Sequence, residues 1–231
     1  MTKTAKKAKS QQMAYMEMVK TRCEAAIYVG KHGLQSIHAF LSLNNRGAGN
    51  PYHNTDHILT VTKYCGRLAG MSQVPLESEK ALIAAAMFHD IDHTGGIRAD
   101  VDNIGNALIA FTRFVGANPT VLTAEEQAIA IKCIECTVFP FTVEPVMEVQ
   151  KIIRDADLLQ STESNFEHIL GEQLRAEISV MQGKNVTRKQ FAKGQSDFLN
   201  SITMYTFAGS ILMAAVKPII VQRFEEISEG R

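Results

Sequence analysis

Neither sign of charge predominates in these 231 residues, where 24 lysines and arginines balance 24 aspartates and glutamates. A neutral chain has no global attraction for nucleic acid or an anionic membrane, so neither partner is expected and an anionic substrate must be recruited locally. Disulfide spacing is lacking too. Cys23, Cys65, Cys133 and Cys136 form no framework, and the start of the chain has no apolar stretch of the secretory kind, so a reducing, cytoplasmic setting is expected. Cys133 and Cys136 have zinc-like spacing but no second pair follows, and they read as buried helix cysteines. The longest apolar segment near the C-terminus, Phe207 to Val216, is broken by Lys217-Pro218 and is too short to cross a bilayer. Internal repeats, linkers and alternating strands are missing as well, which leaves one domain over 1–231. Lys3, Lys6, Lys7 and Lys9 suggest a flexible basic tail over residues 1–10.

What is present is helical periodicity. A hydrophobic content of 45% suffices for a substantial core, and the apolar pattern predicts an all-α, compact multi-helix bundle. Helices are expected over 10–30, 32–43, 55–70, 76–90, 101–115, 124–138, 144–160, 163–182, 187–201 and 205–228. Thr123 and Glu126 have capping-box spacing, and Asn54 or Thr55 can cap the helix that starts near Asp56.

The chemistry concentrates at three places. Leu82, Ala85, Ala86 and His89 fall on one inward helical face, and Asp90, Asp92 and His93 follow within a turn. His53 and His57, four apart, stack on one side of a helix start whose stripe continues through Val61, Cys65 and Leu68. Asp157 continues the stripe Val146, Val149, Ile153, and a buried carboxylate needs a cation. Asp155 points elsewhere on that helix, either behind the ligands or into solvent. His57, His89, Asp90 and Asp157 then form a two-histidine, two-carboxylate set suited to zinc, manganese, iron or magnesium, with Asp90 able to bridge to a second ion. Two such ions clamp a phosphoryl group and supply a bridging hydroxide near neutral pH, which is hydrolysis chemistry.

This order of motifs resembles the HD superfamily of metal-dependent phosphohydrolases over roughly Tyr52 to Asp157, and within it the catalytic domain of cyclic-nucleotide phosphodiesterases. Tyr52-His53-Asn54 with His57 matches that family's histidine pair, His89-Asp90-Ile91-Asp92-His93 its extended His-Asp motif, and Ala156-Asp157-Leu158 its late aspartate. Gln195 and Phe198 have the spacing of the glutamine and phenylalanine that hold the purine there, and Met181-Gln182-Gly183 is similar too. The resemblance implies two divalent ions on His57, His89, Asp90 and Asp157, and catalytic roles for His53, Asp90 and His93, with His53 the general acid. Asp92 and His93 would orient water or ligands, and Tyr52, Gln195 and Phe198 would bind a small nucleotide substrate. The chain departs from the family after His93, where the usual spacing to an asparagine is not kept, and between His93 and Asp157, where it has no histidine.

The leading expectation is therefore hydrolysis of a nucleotide phosphodiester, plausibly a 3′,5′-cyclic nucleotide. A phosphomonoesterase or (deoxy)nucleoside triphosphohydrolase of the same superfamily is the alternative; the nearby cations Lys63, Arg67 and Arg98 are few for a polyphosphate. A non-catalytic ligand sensor is a third reading, and assembly as a homo-oligomer stays open.

Overall fold

The computed structural model describes residues 3–231 and contains helices and no strands among them. Ten helices follow one another: α1 (Lys3–Lys31), α2 (Gln35–Asn44), α3 (Thr55–Met71), α4 (Leu76–Phe88), α5 (Asp100–Ala117), α6 (Ala124–Glu135), α7 (Glu148–Leu159), α8 (166–181), α9 (Arg188–Ser201) and α10 (Phe207–Glu229). The Thr123–Glu126 capping box forms at the start of α6, and Asn54 caps α3.

α4 is the central element. From Ala81 to Phe88 no residue is more than 1% exposed, because α3, α6 and α7 enclose the helix. A helix apolar on all sides is a core helix rather than an amphipathic surface one. Burying Leu82, Ile83, Met87 and Phe88 contributes roughly 1.5–3 kcal/mol each, enough to hold the polar His89-Asp90 exit where it would otherwise seek water. A second apolar cluster joins α8, α9 and α10 through Leu170, Phe191, Leu199, Ile220 and Phe224, and reaches Tyr52 ahead of α3.

Five expectations need correction. α1 starts at Lys3 rather than near residue 10, since lysine and alanine are good helix formers; residues 1 and 2 of the expected basic tail lie outside the described residues. α7 starts at Glu148 rather than 144, because Gln150 Oε1 accepts from the amides of Val146 and Met147 and closes the helix start there. Val146 is 77% exposed and leaves the stripe, which runs instead through Val149, Ile152, Ile153 and Ala156. α10 runs through Lys217-Pro218 without a break, and by length and composition alone it could cross a membrane; Met213, Ile220, Phe224 and Ile227 nevertheless pack into the bundle. Finally, the stretch 163–182 is no single regular helix: a 3₁₀ turn over Gln160–Thr162 precedes it, and α8 contains a π-helical segment, Ile169–Leu174.

Candidate metal centre

His57 enters from the first turn of α3. Asn54 Oδ1 accepts from the amides of Asp56 at 2.8 Å and His57 at 3.2 Å, while Asn54 Nδ2 donates to the carbonyls of Asn50 and Pro51. The cap fixes the helix start, and with it the direction of the imidazole. Its Nδ1 donates to Gln160 Oε1, so Nε2 carries the free lone pair. His89 closes α4, its amide donating to the Ala85 carbonyl and its Nδ1 to the Ala86 carbonyl at 2.8 Å. Its Nε2 is free as well.

These two nitrogens meet two carboxylates. His57 Nε2 lies 3.0 Å from Asp90 Oδ2 and 3.2 Å from Asp157 Oδ1; His89 Nε2 lies 3.4 and 3.9 Å from the same oxygens. Both histidines are 1% exposed and Asp90 is 8% exposed. Burial opposes charge on every member, yet the pairings prevail. Hydrogen bonds to Asp157 and Asp90 push His57 up to about 10, and Asp90 also raises His89. Asp90 is held well below the usual carboxylate range by the facing imidazoles, and Asp157 is lowered by His57. The cluster stabilises added positive charge, and its donors suit a divalent ion: two imidazoles oriented by outer partners, plus two carboxylate oxygens.

A second group, His53, His93 and Glu177, has the composition of a metal site but a different geometry. The His53 and His93 rings stack at 3.8 Å with 29° between planes. His53 Nδ1 instead donates to Glu177 Oε2 at 2.5 Å, and Glu177 Oε1 accepts from the amides of Tyr52 and His53. That leaves His53 Nε2 free on a side chain that is 24% exposed. The positive end of His53 also helps to lower Asp90, which puts the two groups in one electrostatic neighbourhood. Burial would raise Glu177, but the His53 hydrogen bond overrides it and the carboxyl is lowered.

The remaining expected residues fall as follows. Asp92 adopts a left-handed φ of 61° and pairs with Arg46 at 2.7 Å, pinning the 44–50 loop. Gly47 is pressed against that turn so closely that a Cβ would come within 2.9 Å of the His93 carbonyl oxygen. His93 Nε2 meets Asn103 Nδ2 at 2.9 Å. Asp155, expected behind the ligands or in solvent, is fully buried and does neither: it accepts from the amides of Tyr205 and Thr206 and from Thr206 Oγ1, tying α7 to the start of α10. Tyr52 is buried against His53 and His57. Gln195 is buried on α9, and half-buried Phe198 meets Phe139 edge-on at 6.1 Å. Cys65, Cys133 and Cys136 are buried free thiols.

Glu177, Gln160 and Asn50 were not among the expected site residues. Asn50 Nδ2 donates to the carbonyls of both His53 and His93, joining the two histidine backbones. Gln160 lies one turn beyond Asp157, and Glu177 just ahead of Met181-Gln182-Gly183, so both stood beside motifs already singled out.

No protein-family model and no curated protein matches this sequence. Among solved structures, the chain is similar to the Leishmania phosphodiesterase in the structure of LmjPDEB1 in complex with IBMX, with a TM-score of 0.61 at 15% identity. The match covers 90% of this chain and 87% of that one, and at this identity it is the helical fold that the two share.

Proposed function

We propose that the protein is a metal-dependent phosphohydrolase that cleaves a nucleotide phosphodiester such as that of a 3′,5′-cyclic nucleotide. One observation carries the reading: two imidazole Nε2 atoms and two carboxylate oxygens from α3, the end of α4 and α7 converge, with an imidazole held by a carboxylate beside them. The fold shared with a phosphodiesterase supports it. His57, His89, Asp90 and Asp157 would hold a divalent ion. Asp90 turns Oδ2 toward both histidines and would also help to hold a second ion. Bound ions would supply Lewis acidity toward the phosphoryl oxygens and an ionised water near neutral pH.

The chain's own residues do the rest. Glu177 fixes the His53 tautomer with Nδ1 protonated, and a protonated Nε2 can then donate to a departing ribose oxygen. A diester needs this donor, because its leaving alkoxide is strongly basic. The triphosphohydrolase alternative needs cations around a polyphosphate, and two of the nearby ones are engaged elsewhere: Lys63 with Glu163 and Arg67 with Glu24, each at 2.5 Å. A screen of cyclic mononucleotides, cyclic dinucleotides and nucleoside triphosphates with product identification decides between them. Nucleoside monophosphate from a cyclic substrate is the expected product; released triphosphate or pyrophosphate would favour the alternative.

A further inference from the structure

We infer that Gln160 is a positioning residue that sets how tightly the metal centre holds its ion, and that a buried network on the turn after α7 keeps it in place. The inference rests on reading His57, His89, Asp90 and Asp157 as the metal ligands. Among the described residues, Gln160 is the only side chain from outside that set to hydrogen-bond to a side chain within it. His89 is oriented by the Ala86 main-chain carbonyl, which any residue at that position would supply. His57 is oriented by a side chain that the sequence can change.

Asp157 and Gln160 stand three positions apart at the end of α7, on one side of it. Asp157 Oδ1 lies 3.2 Å from His57 Nε2, and Gln160 Oε1 accepts from His57 Nδ1, so one helix end addresses both nitrogens of the ring. Both His57 and Gln160 are buried, and an acceptor lost here is not replaced by bulk water. The amide is also uncharged. Two neutral imidazoles and two carboxylates already balance a divalent ion, whereas a carboxylate in place of Gln160 would make His57 a more basic ligand.

Gln160 opens the 3₁₀ turn Gln160–Thr162, and the amide of Glu163 closes that turn by donating to the Gln160 carbonyl at 3.2 Å. The turn is then tied back to α3, the helix that carries His57. Tyr64 Oη meets Thr162 Oγ1 at 3.0 Å and donates to Glu163 Oε1 at 2.7 Å, while Lys63 Nζ pairs with the same carboxylate oxygen and reaches Thr21 Oγ1 of α1 at 3.2 Å. Lys63 and Glu163 are both buried. Such an ion pair gains little net stability over apolar packing, because desolvation offsets its attraction. Its consequence here is placement: it fixes the turn, and with it the amide, against His57.

Calorimetric titration of the whole protein with manganese tests this in the wild type, Gln160→Met, Gln160→Glu and Tyr64→Phe. Gln160→Met keeps a side chain of similar length without the acceptor, and is expected to weaken the tightest class of site by about 10–100-fold. Gln160→Glu restores an acceptor and is expected to bind at least as tightly as the wild type. That rescue separates positioning from packing. Equal affinity in Gln160→Met and the wild type, or Gln160→Glu as weak as Gln160→Met, overturns the role of Gln160. Tyr64→Phe loosens the turn but leaves the Lys63–Glu163 pair; it is expected to weaken binding by less than about tenfold and to add nothing when combined with Gln160→Met. Wild-type affinity in Tyr64→Phe, or additive losses in the double variant, overturns the network. Affinity is read without turnover, so manganese binding that follows this pattern in a protein that cleaves no phosphodiester contradicts the hydrolase reading and leaves the role of Gln160 intact.

Discussion

His57 and His89, 32 residues apart, present their Nε2 atoms to each other at 3.2 Å. Each has committed its Nδ1 proton, His57 to Gln160 Oε1 and His89 to the Ala86 carbonyl, so two lone pairs face one another in a buried space. Two acceptors at that distance repel unless a proton or a cation lies between them, and Asp90 and Asp157 complete the demand for positive charge. The hydrogen bonding of the centre, as well as its composition, fits it to hold a cation.

Asp157 and Asp155 separate cleanly. Asp157→Ala is expected to fold normally and to lose bound metal, because its carboxylate meets only the two histidines. Asp155→Ala is expected to keep the metal and lose about 2–4 kcal/mol of stability, since three donors at the start of α10 are left unsatisfied. Metal content by mass spectrometry and urea midpoints of both variants check this; metal loss in Asp155→Ala with retention in Asp157→Ala would reverse the assignment.

His53→Ala should retain metal and slow turnover by about 10²–10⁴-fold, the usual contribution of a positioned proton donor. Metal loss in that variant would make His53 a ligand instead.

Glu177 makes stability depend on acid. Its folded pKa lies below the usual 4.5, so its contribution is fully present above pH 4.5 and disappears as the pH falls through the lowered folded value. Glu177→Gln removes that contribution. Denaturation midpoints followed downward from neutrality should fall more steeply in the wild type than in the variant; parallel curves would mean that Glu177 is not held by His53.

Much of this was readable in the chain because helices and ligands obey one periodicity. α4 carries His89 inward, Asn54 caps α3 at the predicted place, and the four proposed ligands do converge. The unread parts have physical causes. The π-helical segment Ile169–Leu174 shifts the register of α8, so straight-helix counting misplaces Glu177 relative to the bundle. Asp155 was misjudged because its burial depends on backbone amides of Tyr205 and Thr206, 50 and 51 residues away. Asn103 reaches His93 across a turn whose path is set by left-handed Asp92, Gly95 and Gly96, a conformation that spacing alone does not reveal.

Arg154 is 1% exposed and clamps the loop between α6 and α7: Nε donates to the Cys136 carbonyl, Nη2 to the Val143 carbonyl, and the guanidinium lies 3.8 Å from the Phe141 ring centroid. Lysine offers a point charge rather than a planar fork. Arg154→Lys is therefore expected to cost about 1–3 kcal/mol in chemical denaturation with metal content unchanged, and a wild-type midpoint would show that the two carbonyls find other donors.

Hydrolysis of an aryl phosphodiester by purified protein, measured with manganese, after chelation and after manganese is restored, bears most directly on the central claim. The account predicts activity that disappears on chelation and returns with the ion; activity unchanged by removal of metal would contradict it.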